Sequence, residues 1–289
     1  MDPHNKLNVI QAYIKKMPSF PTTVTKIMEI CNNANTTPSD LNQTIRLDPV
    51  LMGKIMQLIN SAYYGFAEEI TSLVRAIIML GMNTVKNLAL STAILSGLKS
   101  RNRAHGLNMD EFWRHSLSVG VIAKIIAQKR NVQRSQLEEH FISGLLHDIG
   151  KIPLNNKFSD EYSLAINLAD QAKKSLRISE KQSFAIDHTE VGKLIAQNWK
   201  LGQEISDVIT YHHSLDTYQG DNNDILSTIS IANFFANILN IGFSGDHNHE
   251  EISQETFQHM NIAPGYYEDI EGEVNKEIEK AQIFLKVAA

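Results

Sequence analysis

A chain of 289 residues with 43% hydrophobic and 20% charged residues has the composition of an ordinary soluble protein. Its length exceeds what one hydrophobic core usually supports, so two modules are expected. The net charge of −5 hides an asymmetry: residues 1–105 hold 11 Lys+Arg against 6 Asp+Glu and residues 106–289 hold 16 against 26, yet neither half carries the dense basic stripe of a nucleic-acid binder.

In chain order, Met1–Lys6 lacks the basic and apolar segments of a signal peptide. The lone Cys31 rules out an internal disulfide and fits a reducing cytoplasm. Thr37-Pro38-Ser39-Asp40 sets a capping threonine before a first-turn proline, with an acidic residue three on. Asp48-Pro49 repeats the device ahead of Leu51, Ile55, Leu58 and Ile59 at helical spacing. Gly65 and Gly81 punctuate the first half as turns and helix ends do. The stretch 88–98 is too short and too interrupted to span a bilayer, so no membrane contact is expected. Ser100–Asn108 is polar and marks the expected boundary, giving a first subdomain over 1–105 and a second over 106–289. Asp187, before His188 and three before Glu190, reads as a third cap. Gly220–Asp224 and Gly242–Glu251 read as loops, and Gly272–Ala289 as a terminal helix docked by its last turns. No run alternates apolar and polar residues between hairpin turns, so the fold class is all-α.

The informative residues lie in the second half. Glu111 and His115 are four apart, which on a helix places them on one face about 5–6 Å apart, and Val119, Ile122 and Ile126 turn that face inward. His147-Asp148 follows the apolar run Ile142–Leu146 and precedes Gly150-Lys151. Neighbours on a helix point about 100° apart, so an imidazole can hold one ion while the adjacent carboxylate reaches a second. His188 leads Val191, Ile195 and Trp199, and His212-His213 repeats the splayed pair. Singly, each is an ordinary core histidine. Together, seven nitrogen and oxygen donors exceed the needs of one tetrahedral ion and suit borderline first-row cations. Two or three divalent or trivalent transition-metal ions are expected, iron or manganese favoured and zinc or nickel possible. The remaining histidines, His4, His105, His140, His247, His249 and His259, sit in polar settings and read as surface residues.

The series Glu111, His115, His147-Asp148, His188 and His212-His213 resembles the ligand set of HD-superfamily metal-dependent phosphohydrolases, and within it the HD-GYP branch, which cleaves cyclic dinucleotides. The first half resembles the HDOD signalling family. Met17-Pro18-Ser19-Phe20-Pro21 is similar to its opening proline pair, Leu47-Asp48-Pro49 through Lys54 to Asn60-Ser61-Ala62-Tyr63-Tyr64-Gly65 to its central signature, and Ile70-Thr71-Ser72, Ala76-Ile77, Leu80-Gly81 and Val85-Lys86-Asn87-Leu88 to the segment that follows. The resemblance spans about residues 15–235. It implies an HDOD-type helical bundle packed on an HD-type metal-binding half, with Lys151 and Asp148 as catalytic residues if the site acts on a phosphate. Two positions depart from the HD-GYP pattern. A late aspartate is replaced by Asn233, which offers a carbonyl oxygen but no charge. The residues after His213 lack the glycine-tyrosine-proline segment.

Two functional readings follow. One is a cytoplasmic signalling module with a protein partner, contacted near Tyr63-Tyr64-Gly65 unless those tyrosines close the core, in which ions stabilise the second half. The other is a phosphohydrolase acting on a nucleotide or cyclic dinucleotide, in which metals drive in-line attack on phosphorus. Nucleic acid as a partner is disfavoured, and the sequence does not indicate an oligomeric state.

Overall fold

The computed structural model describes residues 3–17, 20–33, 35–98, 106–248 and 250–288. Six helices make the first part: α1 (Pro3–Lys15), α2 (Thr22–Cys31), α3 (Pro38–Ile45), α4 (Pro49–Ile59), α5 (Leu73–Leu80) and α6 (Met82–Gly97). The next run, α7 (Met109–Lys129), α8 (Arg134–Leu146), α9 (Lys151–Lys157), α10 (Ser159–Ala172), α11 (Leu176–Phe184), α12 (His188–Trp199) and α13 (Gln203–Tyr211), carries nearly all the candidate ligands. A 3-10 turn (Leu215–Thr217) leads to α14 (Asn223–Ile238), α15 (Gln254–Met260), α16 (Tyr266–Ala281) and α17 (Ile283–Ala288). No strand occurs among the described residues, and the fold is all-α.

The three caps read from sequence form as expected. Thr37 and Asp40 make a reciprocal capping box, Asp48 Oδ1 accepts from Leu51 N, and Asp187 and Glu190 make a second box that starts α12 at His188. Each satisfies helix-start N–H groups that would otherwise lack partners. Gly81, at φ +89°, ends α5 and starts α6. That bend of 114° interrupts an apolar stretch, and among the described residues no single helix is long and apolar enough to cross a membrane. The terminal segment starts earlier than expected and breaks at Gln282, so that Phe284 and Val287 are buried from a short separate helix.

α7 is the axis of the molecule, with α8, α14 and α16 packed along it. At the α7–α8 crossing, Gly120 and Gly144 face each other. A Cβ on Gly144 would lie 2.7 Å from the Gly120 backbone, so only glycine allows this approach. The approach brings His115 of α7 towards His147, which caps α8. One apolar cluster runs through both parts of the chain. α6 packs on α8, α17 on α4 and α6, and α1 on α9, α11 and α12.

One expectation changes, and one of two alternatives is met. His140 is buried rather than on the surface, because α8 is enclosed by α6, α7, α13 and α14. Its Nδ1 donates to Gln136 O at 3.0 Å, and burial holds its pKa below the ordinary value. Tyr63 and Tyr64 close the core. Tyr63 packs against Phe141 and Phe284, and its hydroxyl accepts from Lys124, which is paired with buried Glu138. His247 and His259 are exposed as expected, whereas His105, His249 and the side chain of His4 lie outside the described residues.

Candidate metal centre

Four helices converge on Asp148. α7 brings His115, the end of α8 brings His147 and Asp148, the first residue of α12 is His188, and His212 and His213 follow the last residue of α13. Gly150 makes this possible. It is in ordinary helical conformation, so it is needed for space rather than for backbone freedom. A Cβ there would lie 1.8 Å from His188 O and 2.6 Å from Gly192 N. The start of α12 is therefore seated directly on the turn that carries Asp148.

Potential ligand atoms of Asp148, His188, His212 and His213 lie within 4.8 Å of one another, and those of His115, His147 and Asp148 form a second such group. Neighbouring rings are close, from 4.3 Å between the centroids of His212 and His213 to 5.8 Å between those of His115 and His147.

Hydrogen bonds on the outer side fix three of the rings. His147 Nδ1 donates to Gly144 O at 2.7 Å and His212 Nδ1 to Val208 O at 3.0 Å. His188 Nδ1 is 2.6 Å from Glu180 Oε2, a carboxylate that also accepts His188 N and, at Oε1, the Tyr162 hydroxyl. A carbonyl oxygen can only accept, so the proton sits on Nδ1 and the Nε2 lone pair faces inward. Those Nε2 atoms lie 3.3, 3.3 and 3.5 Å from the Asp148 carboxylate for His147, His188 and His212. All three, with Asp148 Oδ1, are buried and lack a hydrogen-bond partner. One such atom costs about 1–3 kcal/mol. Four pointing at one spot, each braced from behind, is the donor set of a cation site.

Electrostatics agree. Burial and neighbouring His147 hold His115 down at about 3, and burial holds His212 at about 4 and His213 well below the ordinary value. Burial opposes charge on His188 too, but the Glu180 carboxylate outweighs it and raises that pKa. Burial would also raise the Asp148 carboxyl; His147 and Lys151 outweigh it and hold it well below the usual range. The cluster is thus an anion ringed by mainly neutral imidazoles, which is the ligation state a metal needs.

The other candidates take different places. His115 Nε2 lies 2.9 Å from Asn233 Oδ1, an acceptor that also receives Asn237 Nδ2. This nitrogen is therefore engaged where the other three are free. Lys151 Nζ donates to Asp148 Oδ2 at 2.7 Å and to Ser244 Oγ at 3.3 Å, and its side chain is 2% exposed. Glu111 is outside both ligand groups. Its backbone oxygen accepts Phe243 N at 3.0 Å and anchors the chain just before Ser244 beside the site. Gly242, at φ +70°, permits that contact; a Cβ would lie 2.3 Å from His115 N.

Above the cluster is a cleft of about 140 Å³, lined by Lys151, His212 and buried Asp246, with Asp216, Glu250 and Glu251 on its more exposed side. Glu250 reaches His213 Nδ1 at 3.6 Å and Arg177 at 3.4 Å. Sequence reading missed Glu180, Tyr162, Ser244 and Glu250. For Glu180 a signal existed, since Leu176, Glu180 and Phe184 share one helical stripe and a carboxylate inside an apolar stripe needs a partner.

Comparison with known proteins bears on the whole fold. A crystal structure of an HDOD domain protein of unknown function from Geobacter sulfurreducens superposes with a TM-score of 0.77 at 23% identity, covering 98% of this chain and 99% of that one. A Shewanella amazonensis protein whose name suggests phosphohydrolase activity gives 0.70 at 20% identity, covering 97% and 98%. By sequence, an uncharacterised Treponema pallidum protein is 23% identical over 86% of this chain, and Ribonuclease Y of Mycoplasmoides gallisepticum is 28% identical over 62%. The chain spans only 47% and 28% of the length of those two relatives. The model of the HDOD domain matches residues 17–215. On that match, with an all-helical fold to suit it, the chain belongs to the HDOD domain family.

Proposed function

We propose that the chain is a signalling or regulatory module of the cytoplasm whose second half is organised around two or three transition-metal ions. The observation that supports metal binding is the set of three inward Nε2 atoms and Asp148 Oδ1, buried together without partners. Asp148, His147, His188, His212 and His213 would hold the ions, with His115 joining where Asn233 yields its hydrogen bond. Nitrogen and oxygen donors without thiolate suit iron or manganese, with zinc or nickel also compatible. Such ions stabilise the folded chain, because the unfolded chain cannot assemble the site. The proposed partner is a signalling protein.

Two features favour regulation over turnover of cyclic dinucleotides. Lys151 is held by Asp148 and Ser244, and the solvent-facing lining of the cleft carries three carboxylates, Asp216, Glu250 and Glu251. A polyanionic substrate meets like charge at the entrance.

The second reading is a metal-dependent phosphohydrolase acting on a nucleotide or cyclic dinucleotide. It draws on the ligand set, on the position of Lys151 in the cleft lining and on the names of the Shewanella protein and of Ribonuclease Y. Ions bound there would supply Lewis acidity and charge neutralisation for phosphoryl transfer. Lys151 would orient a phosphate and Asp148 would position the ions.

The deciding experiment isolates the protein anaerobically without chelator, measures its iron, manganese, zinc and nickel, and assays generic phosphodiesters and cyclic dinucleotides. Bound metal without turnover supports the regulatory reading. Turnover that vanishes in folded Asp148→Ala and Lys151→Ala establishes the enzyme. A folded protein that binds none of these metals rejects both.

A further inference from the structure

A second cavity, of about 360 Å³, lies away from the histidines, between the start of α2, the first turns of α4, the last turns of α6 and the end of α12. Phe20, Val24, Leu51 and Trp199 make its walls mainly apolar, and the Phe20 and Trp199 rings, 5.0 Å apart, form one aromatic side. Val50, 70% exposed, extends the apolar surface at its edge. Small-molecule sites have this size and make-up, an apolar concavity with a few fixed polar groups.

One cation stands in the wall. Lys54 Nζ donates to Ser96 Oγ at 3.0 Å, and among the described residues it forms no ion pair. The nearby wall carboxylate, Asp48, is committed to capping α4 through Leu51 N at 2.9 Å. An ammonium has three donors, so Lys54 keeps two for whatever fills the cavity. A carboxylate is the group that neutralises it and makes the stronger, charge-assisted bond.

We propose that this cavity binds a small organic monocarboxylate with an apolar body, its carboxylate on Lys54 and its body against Phe20, Leu51 and Trp199. The site is independent of the function assigned to the histidine cluster. It is also mechanically joined to it, since α12 carries Trp199 at its last residue and His188 at its first.

Equilibrium dialysis of the full chain against phenylacetate and octanoate, each beside its uncharged amide, tests the proposal. At least one acid is expected to bind saturably and about tenfold more tightly than its amide, equivalent to about 1.4 kcal/mol. In Lys54→Met the acid is expected to fall to the level of the amide while amide binding persists. Lys54 is only half-buried, so this variant should keep the wild-type thermal melt. Absence of saturable binding by both acids, or equal binding of acid and amide by the wild-type chain, overturns the proposal. So does undiminished acid binding in folded Lys54→Met.

Discussion

Asp148 holds a negative charge where water cannot reach it, and Lys151, equally buried, is the one lysine or arginine within salt-bridge reach of it among the described residues. A buried pair of this kind is not in itself strong evidence of stability, but removing one partner strands the other. Asp148→Asn in metal-free protein is therefore expected to cost about 3–5 kcal/mol, and adding Lys151→Met to recover much of it. Urea unfolding of chelator-treated protein measures both; a single variant as stable as wild type would show that the pair is not under this constraint. Gly150 is the other residue on which the site turns. Gly150→Ala drives a methyl into the His188 carbonyl, and an overpacked core typically loses about 1–3 kcal/mol. Because the strain falls where α12 begins, bound metal should fall together with stability. Elemental analysis of the folded variant would sink this link by returning wild-type metal content.

At the level of elements, α10 and α11 support His188 from behind: Tyr162 of α10 bonds Glu180 of α11, and Glu180 bonds His188. Outer partners of this type fix ring orientation and commonly change metal affinity 10–100-fold, roughly, when lost. Glu180→Gln is expected to weaken binding by about that factor and Tyr162→Phe by less, read by competition with a chromogenic chelator. Unchanged affinity in Glu180→Gln would show that α12 alone orients the ring. The starts of α3, α4 and α12 were legible in the sequence because caps are local chemistry, readable from residues three apart. The meeting of His115, His147, His188 and His212 was legible for a similar reason, since each sits on the inner face or at the end of an apolar helix. What stayed hidden depended on distant packing. His140 lies beside Glu138 and Glu139 and looks like surface, yet the packing of neighbouring helices on α8, with Asp224 of α14 and Arg130 beside it, buries it. Glu111 has the right spacing from His115 yet stands outside both ligand groups, and its backbone oxygen accepts Phe243 N. Asn233 offers an oxygen by sequence, but in the fold that oxygen is engaged by His115.

Across the whole molecule, the buried histidines set how metal-free protein responds to acid. His115 and His212 have folded pKa values near 3 and 4, against an ordinary value of 6.5. The unfolded chain takes up these protons first, so stability is lost as pH falls below about 6.5, by up to about 1.4 kcal/mol per pH unit for each group. His188, whose pKa is raised, works the other way: its contribution is present below the ordinary value and fades as pH rises through the folded one. Denaturant unfolding at pH 7 and pH 5 should show a marked loss at the lower pH, reduced in a folded His115→Gln, His212→Gln double variant; the same loss in both proteins would place the acid sensitivity elsewhere. The same packing bears on the proposed division at residue 105. α17, from the end of the chain, packs on α4 and α6, while α1, from its beginning, packs on α9, α11 and α12. Each part therefore lends a helix to the other, and Phe284 fills a space between Tyr63 and Phe141 that neither part encloses alone. Residues 106–289 produced alone would expose the faces of α8 and α17 that α6 covers, together with the faces of α9, α11 and α12 that α1 covers. Exposed apolar faces of that extent favour loose or aggregating states. The expected result is a helical but weakly cooperative fragment that binds a hydrophobic dye and regains a sharp transition when mixed with residues 1–105. A fragment that unfolds as cooperatively as the full chain would mean that residues 106–289 are a domain in their own right, with α1 and α6 as covers rather than as parts of its core.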